Sequence, residues 1–115
     1  MDLNHLHLHV KDITRSRRFY EQYFNFREHI WHGDILFLRN ENKFDLALYP
    51  EKGEWKFPEW FHFGFRLDSL EGIKQLYDKM KAGKVIINTE LETYDDFVFF
   101  RCFDPDNYKL EIYWE

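Results

Sequence analysis

"YKLEIYWE", residues 108–115, sets letter against letter on "FDLALYPE", residues 44–51. Leu110 falls on Leu46, Ile112 on Leu48 and Tyr113 on Tyr49. Working backwards from each end, the same order of signals appears: a strand, a helix, then further strands. The first series opens with "HLHLHV" (5–10). Asp12 follows as a helix N-cap, and "ITRSRRFYEQYF" (13–24) puts Ile13, Tyr20, Tyr23 and Phe24 near one helical face. Turn-rich "WHGD" precedes a strand at "ILFLR" (35–39), "NENK" makes a hairpin turn, and "FDLALY" (44–49) closes the series. The second opens with "HFGFRL" (62–67). Asp68 and Glu71 form a capping-box pattern before "SLEGIKQLYDKMKAG" (69–83), where Ile73, Leu76, Tyr77 and Met80 share a face and Gly83 follows the end. Strands at "KVIIN" (84–88) and "FVFFRCF" (97–103), the turn "DPDN" and the strand "YKLEIYW" complete it. The pattern predicts βαβββ written twice, with module 1 over about 1–53 and module 2 over about 54–115 of a single 1–115 domain. In that register His62 is the repeat-mate of His5, Tyr77 of Tyr20, and Glu111 of Ala47.

The bulk composition narrows the class. A chain of 115 residues suits one domain. Aromatics reach 21%, more than a core of this size needs, which points to a ring-lined pocket or an interface. A net charge of −5 argues against nucleic acid or an anionic membrane surface as partner. No apolar run has membrane-spanning length and the first residues lack the apolar core of a signal peptide. The lone Cys102 excludes an internal disulfide, so a cytoplasmic protein is expected. Nucleotide-binding glycine motifs and CxxC pairs are absent from the sequence.

Strand alternation then sorts the side chains. Leu3, Leu6, Leu8 and Val10 are expected on the core face of the first strand, leaving His5, His7 and His9 on the other. Phe63, Phe65 and Leu67 turn inward, opposite His62, Gly64 and Arg66. Val98, Phe100 and Cys102 pack under the helix, opposite Phe97, Phe99 and Arg101. Leu110, Ile112 and Trp114 do the same, opposite Lys109, Glu111 and Tyr113. Two such modules edge to edge would curl into a cup collecting the histidines, Arg66, Arg101 and Glu111 on its concave face. His5, His62 and Glu111 offer two imidazole nitrogens and a carboxylate from three strands, a set able to occupy one face of a divalent metal. His7 and His9 are the candidate catalytic acid–base or supporting groups. Arg101 is a candidate anion binder, or the partner of Asp95 or Glu111, and Phe99 and Tyr113 join it as substrate-contacting candidates. Cys102, facing the core, is expected to be inert.

At "NHLHLHV", "RSRRFYEQYF", "HFGF" and "FDPDNYKLEIY" the chain resembles the vicinal-oxygen-chelate superfamily. That group joins glyoxalase I, the fosfomycin-resistance enzymes, the extradiol dioxygenases and the metal-free bleomycin-resistance proteins. The resemblance implies an α+β glyoxalase-like fold: two βαβββ modules in a cupped, mostly antiparallel sheet with helices outside. It implies metal ligands at His5, His62 and Glu111, one divalent ion (Fe, Mn, Ni or Zn), a small-molecule substrate and a homodimer. The implied activity is that of a metal-dependent lyase, thiol transferase or dioxygenase, with metal-free small-molecule sequestration as the alternative. Ala47, or Leu46 if the register slips by one, stands where glyoxalase I has a fourth ligand, which disfavours that four-ligand enzyme. His7 replaces the threonine of the fosfomycin enzymes, and "ELETYDD" replaces their potassium-binding loop. Asn107 stands where the family prefers Gly in the turn, a residue that tolerates the left-handed backbone.

Overall fold

Alternation in "HLHLHV" builds β1 (His5–Val10), whose Leu8 and Val10 are buried. The computed structural model describes residues 1–115 and divides into two compact units, Met1–Trp55 and Lys56–Glu115. In the first, α1 (Ile13–Phe24) starts at Asp12, whose carboxylate accepts the Arg15 N–H at 3.2 Å. It ends at Asn25 in the left-handed region, φ 58°. Then come β2 (Arg27–His32), β3 (Ile35–Arg39) and β4 (Asp45–Pro50). The strand order is β1-β4-β3-β2, with β1 parallel to β4 and the other pairs antiparallel. Phe19, Tyr20 and Tyr23 of α1 are buried, as are Leu36, Leu38, Leu46 and Leu48 of the sheet. These residues form that unit's core.

The second unit repeats the plan: β5 (Phe63–Arg66), α2 (Leu70–Ala82), β6 (Ile87–Thr93), β7 (Val98–Phe103) and β8 (Lys109–Trp114), ordered β5-β8-β7-β6. Its core gathers Ile73 and Met80 of α2 with Val98, Phe100, Cys102, Leu110 and Ile112. Each unit is therefore βαβββ in a mixed, mostly antiparallel sheet, an α+β fold. The pairing registers repeat as well. Leu6 lies beside Leu46 and His7 beside Ala47; Phe63 lies beside Leu110 and Gly64 beside Glu111. Phe37 faces Ala47 as Arg101 faces Glu111. The turn into β8 is tied by Asp104, whose carboxylate accepts N–H bonds from Asp106 and Tyr108, both 2.9 Å, with Asn107 at φ 67°. No helix is long and apolar enough to cross a membrane.

Several local expectations need correction. Leu3 precedes the strand and is exposed rather than in the core. The second helix is capped by Ser69, not Asp68: its hydroxyl accepts the Gly72 N–H at 3.0 Å. Gly83 has φ −81°, and the left-handed step falls on Lys84 at φ 63°. β2 is "REHIWH", so Trp31 and His32, expected in the turn "WHGD", are the end of a strand. The strand expected at 84–88 begins only at Ile87 and continues through "ELET", expected as part of a loop, to Thr93.

Candidate functional site

Three of the expected site residues converge in the second unit. Arg101 and Glu111 are directly opposed on β7 and β8. Their pairing is a fork onto a single oxygen: Nε and Nη2 of Arg101 both donate to Glu111 Oε1, at 3.1 and 2.9 Å. The other oxygen, Oε2, lies 3.8 Å from Nε2 of His62. The Nδ1–H of His62 donates to the Trp60 carbonyl at 3.0 Å. A carbonyl can only accept, so the proton sits on Nδ1 in the neutral ring and Nε2 carries the lone pair. His62 and Glu111 thus present a nitrogen and an oxygen donor to each other's free edges. Gly64, paired with Glu111, keeps this area open: a Cβ there would stand 2.6 Å from the Glu111 carbonyl oxygen.

Rings extend the polar group on one side. The Arg101 guanidinium lies 5.1 Å from the Phe99 ring centre. Phe97 lies 5.3 Å from Phe99 and 5.9 Å from Tyr113, so the candidates Phe99 and Tyr113 belong to one aromatic group beside Arg101. Phe97 completes that group. Its shared parity with Phe99 was the only sequence signal for it. The Trp60 carbonyl had no signal, because a loop sets the direction of a backbone oxygen.

In the first unit, His7 and His9 lie together with ring centres 5.1 Å apart. Tyr49 packs against both, and Trp55 meets His9 edge-on. Nδ1 of His9 contacts the Glu51 carboxylate, a partner just beyond the strand. His5 is exposed, and its Nδ1 pairs with Asn4 Oδ1 at 2.8 Å. It stands opposite Asp45, which Arg39 clamps at 2.6 and 3.0 Å. The Arg39 guanidinium holds the Asp45 carboxyl below its usual range. A shallow hollow of about 500 Å³, walled in part by Arg27, His29 and Arg39, contains none of the expected site residues. Burial pushes the Cys102 thiol up to about 12, which suits an inert core residue.

His5 belongs to the first unit, His62 and Glu111 to the second. Within neither unit do three His, Cys, Asp or Glu side chains gather as a metal-binding group. What the second unit supplies is two donors whose chemistry fits a divalent ion: a neutral imidazole with its other nitrogen anchored, and one carboxylate oxygen not engaged by Arg101.

The family profile of the Glyoxalase/Bleomycin resistance protein/Dioxygenase superfamily matches residues 2–112. Among solved structures, a possible glyoxalase from Bacillus cereus is 26% identical, with 97% of each chain covered and a TM-score of 0.83. The fosfomycin resistance protein FosX from Listeria monocytogenes is 19% identical, covering 100% of this chain and 93% of its own, at a TM-score of 0.86. A lactoylglutathione lyase from Agrobacterium tumefaciens is 14% identical, covering 98% and 92%, at 0.75. The last two share the fold. No curated protein sequence gives a significant match.

Proposed function

Because the chain belongs to the Glyoxalase/Bleomycin resistance protein/Dioxygenase superfamily, we propose that it is a small metalloenzyme whose His5, His62 and Glu111 hold one divalent ion. The observation that carries this reading is the His62–Glu111 arrangement, with Nε2 and Oε2 facing each other at 3.8 Å and the far edge of the imidazole tied to a carbonyl. Two nitrogens and one oxygen suit Fe, Mn, Ni or Zn. Such an ion supplies Lewis acidity toward two neighbouring oxygens of a substrate. The chain's own groups divide the remaining work. Phe99 and Tyr113, with Phe97, offer an apolar wall to the body of a small molecule, and Arg101 lends positive charge to an anionic end. His7 and His9 are the acid–base candidates, and Glu51 favours a proton on the Nδ1 of His9. A cytoplasmic homodimer acting on a small molecule completes the proposal.

A second reading, metal-free sequestration of a small molecule, draws support from the Arg101 fork, which already neutralises Glu111 in the absence of an ion. Metal analysis after purification without chelators separates the two. One ion per chain in the parent, lost in His62→Ala and Glu111→Ala, is the expected result. A parent that holds no metal, even after growth with added Fe, Mn, Ni or Zn, overturns the enzyme reading in favour of sequestration.

A further inference from the structure

We propose that Arg101 is a positioning residue for the metal-binding oxygen of Glu111; this rests on the metal-centre reading above. Both of its donors go to Oε1 and neither to Oε2. The carboxylate is thereby held in one rotation, with Oε2 directed to the lone-pair edge of His62. Arg101 is itself steadied from two sides, by its cross-strand register with Glu111 and by the Phe99 ring under the guanidinium. The internal repeat adds an independent observation. At the same register in the first unit, Phe37 faces Ala47. Donor and clamp occur together in one half, and both are missing from the other.

Two effects of this arginine oppose each other. As a charge, it repels an incoming dication, so its removal alone would tighten metal binding. As a clamp, it fixes a ligand that would otherwise lose rotamer freedom on binding, so its removal would weaken it. The fork on one oxygen favours the clamp.

Calorimetric titration of Zn²⁺, and separately Mn²⁺, into metal-free protein reads the sign. Arg101→Gln should weaken binding by about 10- to 100-fold. Arg101→Lys, which keeps the charge and one donor but not the fork, should fall between Gln and the parent, and covers the case in which the Gln variant fails to fold. In the metal-free parent, the Arg101 Nε–H should give a sharp heteronuclear NMR signal that Glu111→Ala, which removes the acceptor, abolishes. Unchanged or tighter binding in Arg101→Gln, or a signal indifferent to Glu111→Ala, overturns the proposal and leaves the metal centre standing. A parent with no Glu111-dependent binding removes the metal centre and this role together.

Discussion

At Gly64 a single methyl group decides whether two strands can sit at their native spacing. An added Cβ would meet the Glu111 carbonyl oxygen at 2.6 Å, and that oxygen is backbone, unable to swing aside. Gly64→Ala should therefore cost about 1–3 kcal/mol in urea unfolding, the usual range for overpacking. An unchanged midpoint would mean that β5 and β8 part freely at this point. At the same scale, alternation alone put Arg101, Glu111 and His62 on the face away from the core, because parity is a local property of an extended chain. What alternation does not carry is which oxygen of Glu111 is taken or which imidazole nitrogen holds the proton. Those depend on a cross-strand distance and on the Trp60 carbonyl.

Among the elements, most of those with one buried face were legible, and those without were not. β1, β3, β7 and β8 bury alternate residues, and both helices present a buried face. β2 is exposed at all six positions, so "REHIWH" carries no period to read. β6 has no fully buried residue either, and its polar second half passed for a loop. Arg39 and Asp45 pin β3 to β4 at the turn end. The arginine hydrogen bond lowers the Asp45 pKa in the folded state, so the pair's contribution is fully present above the unfolded value. It is lost as pH falls through the lower, folded one. Compared with Asp45→Asn, the parent should hold a stability advantage at neutral pH that shrinks below about pH 4. Urea midpoints taken down the acid limb test this; an advantage that persists undiminished in strong acid would contradict it. The effect should be small, because both side chains remain partly solvated.

For the whole molecule, the duplication itself can be put to the test. Ala47 is only 5% exposed, so Ala47→Glu places a carboxylate where no guanidinium waits, at a cost of about 1–3 kcal/mol. Adding Phe37→Arg recreates across β3 and β4 the register that Arg101 and Glu111 occupy across β7 and β8. A double-mutant cycle should give a favourable coupling of about 0.5–3 kcal/mol. Strict additivity would mean that the two halves share an outline but not a local environment. The repeat was readable because β4 and β8 keep Leu46/Leu110 and Tyr49/Tyr113 in one register and because the order of elements recurs. Its sheet order has a further consequence. In the second unit the last strand, β8, sits between β5 and β7, and it is the only neighbour β5 has. A nascent chain made only as far as Asn107 leaves β5 unpaired until β8 (Lys109–Trp114) emerges. Assembly of that half must wait for its last strand, a long-range closure of the kind that slows folding.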